Sequence, residues 1–292
     1  MKYIKLCIGA IMLCISQIGI AVQPLGLENV PKAIPKTLSP TEASKGCVTS
    51  LMNQLDDRKF NIVGHAETTY VISVLAGQDI VNTHELTFFS QYPDANKELD
   101  AIVNAAKNKI PSESNKFTKD IVTKLHSLHG GGSEKIKQRR IEVENAIKNN
   151  LKKPEDIWKS GLLIHSLGDT YAHTHKKFWT NEEVAYGPAT GHLADSIFGE
   201  DPDSITSPKT KVKYLAYIDN LFSILKTDKA DILRFEDFKT KVKNTKCKND
   251  TCFSKEVLKF DNRMDEFNSC MNIFMKPLTK LQVQEVMDQI KD

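Results

Sequence analysis

The stretch from Leu162 to His173, Leu-Leu-Ile-His-Ser-Leu-Gly-Asp-Thr-Tyr-Ala-His, places two histidines and one aspartate at intervals of four residues. An α-helix turns about 100° per residue, so His165, Asp169 and His173 would share one face of a helix. Imidazole nitrogens and carboxylate oxygens are among the ligands that zinc takes in proteins. This spacing therefore predicts a metal-binding stripe on a helix.

The residues around the stripe are apolar, as in a helix of a protein core: Leu162, Leu163, Ile164 and Leu167. A buried polar group costs free energy unless it is hydrogen-bonded or coordinates a metal. Two other interpretations therefore stand beside a metal site. The stripe could be a buried His-Asp-His hydrogen-bond ladder, or a helix face that contacts solvent.

The N-terminus has the features of a cleavable signal peptide. Residues 1–21 combine two lysines, an apolar run that reaches Ile20, and small residues around Ala21. We expect cleavage after Ala21 and a secreted or periplasmic protein. Cys14 follows Leu13 instead of a small residue, which argues against a lipid anchor, and no later stretch is long and apolar enough to cross a membrane.

Composition and charge are those of an ordinary globular protein. Of 292 residues, 40% are hydrophobic and 26% are charged. Removing residues 1–21 takes away Lys2 and Lys5 and no acid, so the net charge falls from +3 to +1. Because nucleic-acid-binding domains usually carry a clearly basic face, we expect no stable complex with nucleic acid. The sequence leaves the oligomeric state undetermined.

Four cysteines follow residue 21: Cys47, Cys247, Cys252 and Cys270. In an oxidising compartment an even number of cysteines predicts disulfides, and three connectivities are open. The polar tetrapeptide between Cys247 and Cys252 suits a small closed loop, which would pair Cys47 with Cys270. A zinc site with thiolate ligands is the alternative, although the cysteine spacing is loose for one.

The hydrophobic pattern predicts an all-α fold, a single multi-helix bundle domain with a metal site at one end. Residues 22–46, which contain four prolines, predict an extended N-terminal lead-in to an all-helical domain at 47–292. Helices are predicted at 64–76, 80–91, 95–109, 116–126, 133–150, 155–174, 209–246 and 254–291, the second of them capped by Asp79. Residues 176–208 predict the longest irregular stretch, and loops of such length are usually functional or mobile.

Further candidate ligands lie at the ends of predicted elements. They are His65, Asp94, His126, His129, His192 and Asp195. Ligands at element ends are expected of a site where facing helices of a bundle contribute inward-pointing side chains. Asp94 could instead cap a helix that begins at Ala95. His126 is preferred to His129 because His129 adjoins the glycine break at 130–132, although the choice between them stays open.

Together these motifs resemble the zinc-dependent phospholipase C and single-strand nuclease superfamily, in particular bacterial phospholipase C-like proteins. The likeness covers about residues 61–203. It is carried by His165-x-x-x-Asp169-x-x-x-His173, by Gly191-His192 downstream, and by His65 and Ser90-Gln91-Tyr92-Pro93-Asp94 upstream.

The resemblance implies two or three zinc ions, with Asp169 as the catalytic aspartate that bridges two metals and positions a water molecule. It assigns Asp94, His126, His165 and Asp169 to one ion, His173, His192 and Asp195 to a second, and His65 with Asp169 to a third. Members of the superfamily commonly use the mature N-terminal amine as a ligand. Cleavage here would leave Val22 ahead of a long tail, so either His65 substitutes for that amine or only two ions bind.

The function implied by the resemblance is that of a secreted zinc-dependent phosphodiester hydrolase, phospholipase C-like, that uses metal-activated hydroxide. We expect a phospholipid or another phosphodiester as substrate, with peripheral contact to a membrane. One alternative is a single-strand nuclease, for which Tyr171, Phe178 and Trp179 would supply stacking surfaces. The other is a non-catalytic helical interaction protein that metal stabilises. The sequence contains no Gly-x-Ser-x-Gly nucleophile motif.

Overall fold

Helices account for most of the residues that the computed structural model describes, which are 38–51, 63–177, 179–180, 182–188, 204–259 and 264–291. The all-α prediction is confirmed by twelve α-helices among these residues. Numbered in chain order, they are α1 (Pro40–Leu51), α2 (Thr68–Leu75), α3 (Ile80–Ala95), α4 (Ala101–Lys107), α5 (Lys116–Asp120), α6 (Ser133–Asn150), α7 (Ile157–Ala172), α8 (Pro208–Leu225), α9 (Ile232–Asn244), α10 (Asp250–Phe253), α11 (Met264–Phe274) and α12 (Lys280–Met287).

Single turns of π-helix extend three of these helices. They are Val63–Glu67 ahead of α2, Ile121–Leu125 after α5 and Ser254–Leu258 after α10. The segments predicted to be helical at 209–246 and 254–291 each contain breaks. The first break follows Leu225, where the backbone N–H groups of Thr227 and Asp231 bond the carbonyls of Ala76 and Leu75 instead of continuing the helix.

A small antiparallel sheet was not predicted. Its strands are β1 (Gly131–Gly132), β2 (Thr174–Lys176) and β3 (Glu183–Ala185), in the order β1-β3-β2. The predicted helix 155–174 therefore ends early, at Ala172, and the stretch predicted as irregular from 176 contains β3. Strands of two or three residues are too short to show the alternation of polar and apolar residues that identifies a strand.

The N-terminal helix begins earlier than predicted. Helix α1 starts at Pro40, inside the segment 22–46 that was predicted to be extended. Ser39 caps it reciprocally, because the N–H of Glu42 donates to Ser39 Oγ and the N–H of Ser39 donates to Glu42 Oε2. Proline is well suited to the first turn of a helix, where no backbone donor is needed. The proposed signal peptide lies outside the described residues.

The end of α3 also differs from the prediction. The Asp79 cap is confirmed, since its side chain accepts from the N–H of Asn82. The helix does not stop at Pro93 but continues to Ala95, and the next helix begins only at Ala101, capped by Asp100. Asp94 thus lies in the last turn of α3, and the alternative that it caps a following helix is wrong.

Both predicted disulfides are present. Cys47 on α1 pairs with Cys270 on α11, and Cys247 pairs with Cys252. Two disulfides in one chain indicate an oxidising environment. Among the helices that the structure describes, none has the length and apolar character needed to cross a bilayer.

Helices α3 and α7 pack closely at the centre of the core. A Cβ atom on Gly161 of α7 would lie 2.4 Å from Phe89 Cβ and 3.1 Å from the Leu86 carbonyl oxygen, both on α3. Glycine is therefore required for this approach, because no other residue fits the gap. Helices α6 and α8 contact α7 from other directions, so that Leu162, Ile164 and their neighbours are fully buried.

We predict that Gly161→Ala lowers the free energy of unfolding by roughly 2 kcal/mol, in the range for overpacked cores. The added methyl group would push α3 away from α7. Urea unfolding followed by circular dichroism measures the change. Gly46→Ala is the matched control, because Gly46 is exposed on α1 and its Cβ would meet nothing within 4 Å. Equal stability of the two variants would contradict the close approach.

Candidate metal centre

Two of the candidate histidines are held by irregular helical turns. His65 lies within the π-helical turn before α2, and His126 directly follows the π-helical turn after α5. Such turns occur frequently at functional sites, because the extra residue changes the direction of the side chains. Ser127, the next residue, has a φ of 51°, and its Oγ donates to the Ser166 carbonyl of α7 at 2.9 Å. This bond holds the left-handed backbone and brings His126 against α7.

The stripe predicted on α7 lies at the centre of a polar cluster. His165 and Asp169 are fully buried, and His165 Nε2 lies 3.3 Å from Asp169 Oδ2. His126 Nδ1 lies 3.1 Å from His165 Nε2 and 3.4 Å from Asp169 Oδ2. Asp94, at the end of α3, brings its Oδ1 to 3.7 Å from His165 Nε2 and 3.9 Å from His126 Nδ1. Four predicted ligands therefore converge.

Backbone carbonyls assign the protonation of two imidazoles. His165 Nδ1 donates to the Ser90 carbonyl at 2.9 Å, and His126 Nε2 donates to the Leu99 carbonyl at 2.8 Å. In the neutral rings the hydrogens are on these atoms, so His165 Nε2 and His126 Nδ1 carry lone pairs that face each other. Either a shared proton or a metal cation is needed between them. Burial above all lowers the pKa of His165, which disfavours a proton at this point and favours a metal cation.

Asp169 supplies a buried negative charge to the same point. Burial raises the pKa of its carboxyl group, but His173, His165 and the contact from His126 lower it by more, so the pKa lies well below its ordinary value. Asp169 Oδ2 is buried and accepts no hydrogen bond of good geometry from any residue that the structure describes. Buried carboxylates normally pair or bind metal. This oxygen is therefore suited to coordinate a cation.

The distances among these ligand atoms match a zinc site. Zinc–nitrogen and zinc–oxygen bonds of about 2.0–2.1 Å place the corners of a tetrahedron about 3.3–3.4 Å apart. The triangle of His126 Nδ1, His165 Nε2 and Asp169 Oδ2 has edges of 3.1, 3.3 and 3.4 Å. Asp94 Oδ1 lies 3.9 Å from His126 Nδ1 and 3.7 Å from His165 Nε2, slightly farther than such an edge. We call these four residues the ligand cluster.

His65 lies beside the ligand cluster and contacts the other oxygen of Asp169. Its Nε2 is 3.3 Å from Asp169 Oδ1, and its ring stacks on His165 with 4.1 Å between centroids. His65, His165 and Asp169 form a second group with metal-ligand spacing, beside that of Asp94, His126 and His165. An imidazole nitrogen has one lone pair, so His165 serves only one ion. A second ion at His65 would therefore depend on Asp169 as a bridge.

A cavity of about 440 Å³ opens onto the ligand cluster. Its wall combines aromatic and aliphatic side chains with polar ones, among them Ile102, Tyr171, Lys213 and Tyr217. Gly168 on α7 lets His65 approach, because a Cβ there would lie 3.3 Å from the His65 ring. The cavity is large enough for a small organic group beside the cluster.

The remaining candidates are placed differently. His173 caps the C-terminus of α7 and its Nδ1 lies 3.6 Å from Asp169 Oδ2, but this nitrogen donates to the His126 carbonyl at 2.7 Å and so does not serve as a ligand. His129 belongs to neither group; its Nδ1 bonds the Gly130 carbonyl, and burial lowers its pKa to about 4. His192 and Asp195 lie outside the described residues, so the second ion assigned to them stays a prediction.

Sequence reasoning missed the groups that orient the ligands. The carbonyls of Ser90 and Leu99 fix the two imidazoles, and the Ser127 hydroxyl fixes the turn that carries His126. Every residue has a carbonyl, so no sequence signal marks these two. Such outer contacts fix which nitrogen of a histidine faces the metal.

No family model, curated protein or solved structure matches this chain. The likeness to the phospholipase C and nuclease superfamily therefore stays a prediction from the motifs.

We predict that the purified chain binds zinc and that His126→Ala weakens binding by more than roughly 100-fold, because even the outer partners of metal ligands are worth about 10–100-fold. Competition with a chromophoric chelator measures the dissociation constant. His129→Ala is the matched control, since His129 is the neighbouring histidine and lies outside both groups. Equal losses in both variants would show that His126 is not a specific ligand.

Proposed function

We propose that this protein is a secreted zinc-dependent phosphodiester hydrolase of the phospholipase C type. The observation that carries the proposal is the triangle of His126 Nδ1, His165 Nε2 and Asp169 Oδ2, whose edges of 3.1–3.4 Å fit the face of a zinc tetrahedron. The cavity of about 440 Å³ beside it supports a catalytic role, because it leaves room for a substrate next to the ligand atoms.

Each residue has a defined task in the proposed reaction. When bound, zinc would act as a Lewis acid and would activate a water molecule as the nucleophile near neutral pH. Asp169 contributes Oδ2 to the ligand cluster and directs Oδ1 towards His65, which suits it to bridge two ions and to orient water. The Ser90 and Leu99 carbonyls keep the two imidazoles in the ligating tautomer. No protein nucleophile is required.

A phospholipid is the substrate that we favour. The net charge of the chain without residues 1–21 is close to neutral, which does not attract a polyanion. Aliphatic residues such as Ile102 and Ile205 line the cavity, and the Ile102 side chain is 78% exposed at its wall. An exposed aliphatic side chain beside the site suits contact with a lipid.

A single-strand nuclease is the second candidate, and Tyr171 is the observation that favours it. The Tyr171 ring lines the cavity, is covered by the Arg140 guanidinium at 3.9 Å from its centroid, and has its hydroxyl held by Asn220. A fixed aromatic ring next to a metal centre could stack a nucleobase.

We predict that the zinc-loaded protein hydrolyses a phosphatidylcholine vesicle and that a chelator abolishes the activity until zinc is restored. Asp169→Asn should lower kcat by more than roughly 100-fold, because it removes a ligand and not an outer partner. His175→Ala is the control; His175 is exposed on β2 and stacks on Tyr186 away from the ligand cluster.

The same assay on single-stranded DNA distinguishes the two candidates. Hydrolysis of DNA alone would replace the lipid proposal with the nuclease. Zinc binding without hydrolysis of either substrate would contradict an enzymatic function and support a non-catalytic protein that metal stabilises.

A further inference from the structure

We propose that Gln91 is a positioning residue, which orients Asp94 for metal binding through its side-chain amide. The two residues lie three positions apart in the last turn of α3, and Gln91 Nε2 donates to Asp94 Oδ2 at 3.3 Å. Residues at this spacing face the same side of a helix. The inference rests on the ligand cluster of the proposed function and adds a residue to which no role has been assigned.

Asp94 needs such a restraint more than the other ligands do. Its side chain is 41% exposed, whereas those of His165 and Asp169 are 0% and 4% exposed. A half-exposed aspartate at the end of a helix has several accessible rotamers, so ordering it costs conformational entropy. A hydrogen bond that already orders the carboxylate lowers that cost when metal binds.

The bond leaves one oxygen of Asp94 to face the cluster. Gln91 takes Oδ2, while Oδ1 lies 3.7 Å from His165 Nε2 and 3.9 Å from His126 Nδ1. Carboxylates that ligate metals are themselves usually hydrogen-bonded, and these outer bonds tune affinity. Gln91 therefore orients Asp94 with Oδ1 towards the two imidazole nitrogens.

The other end of the Gln91 amide supports this role. The Asp94 carboxylate accepts hydrogen bonds only, so the NH₂ group must face it and Oε1 must point away. Gln91 lines the cavity. Its Oε1 is nevertheless buried and has no hydrogen-bond partner within the described part of the chain. Burying an acceptor without a donor destabilises the fold. Stability alone thus does not account for glutamine here.

The test compares Gln91→Leu with Gln138→Leu in the purified full chain, with zinc alone as the probe. Gln138 makes an equivalent bond on the exposed surface of α6, where its Nε2 donates to Glu142 Oε1 at 2.8 Å. We expect Gln91→Leu to raise the zinc dissociation constant by about 10- to 100-fold and Gln138→Leu to leave it unchanged. Thermal unfolding of the chelated proteins should show no loss of stability specific to Gln91→Leu.

A double-mutant cycle shows whether Gln91 acts through Asp94. In an Asp94→Asn background, Gln91→Leu should cause no further loss of zinc affinity. An equal loss in both backgrounds, or wild-type affinity in Gln91→Leu alone, would overturn the inference.

Its failure can be told apart from failure of the proposed function. Zinc binding with the expected cycle but without hydrolysis would refute the hydrolase and leave Gln91 in its role. Hydrolysis by the wild-type protein together with unchanged zinc affinity in Gln91→Leu would support the hydrolase and refute the role of Gln91. Absence of zinc binding in the wild-type chain would overturn both.

Discussion

His126 Nδ1 and His165 Nε2 lie 3.1 Å apart in the interior of the protein, and each ring donates its other nitrogen's hydrogen to a backbone carbonyl. Two facing lone pairs repel each other unless a positive charge lies near both. Burial opposes protonation of His165. The ionised Asp169 completes a triangle of ligand atoms whose separations are those expected around a zinc ion. Helices α3 and α7 and the turn that carries His126 hold this triangle in place.

Three helical segments deliver the ligands: α3, α7 and the π-helical turn after α5. Gly161 allows α7 to approach α3, which brings the Ser90 carbonyl to His165 and places Asp94 near the cluster. The π-helical turn after α5 and the left-handed Ser127 turn His126 towards α7. These departures cost stability, which is consistent with a site whose geometry matters for function.

The sequence predicted the features that depend on residues close together in the chain or on the number of cysteines. The spacing of His165 and Asp169 indicated one face, the Asp79 cap marked the start of α3, and cysteine spacing gave both disulfides. Spacing could not show that His173 Nδ1 donates a hydrogen bond to the His126 carbonyl, because that contact joins residues 47 positions apart.

Local signals also misplaced two boundaries. Pro93 was predicted to end α3, but the helix continues past it to Ala95. Strand β3 pairs with β2 on one side and with the glycines of β1 on the other, and no local pattern reveals such pairing. The sequence also could not decide between His126 and His129 as the ligand. Only the folded structure shows that His126 lies beside Asp169.

Anomalous X-ray diffraction on either side of the zinc absorption edge tests the central claim most directly. Crystals of the zinc-loaded protein should show an anomalous peak about 2 Å from each of His126 Nδ1, His165 Nε2 and Asp169 Oδ2. Absence of a peak at this position, with the two imidazole nitrogens still about 3 Å apart as in an N–H···N hydrogen bond, would show that a proton and not a metal joins them.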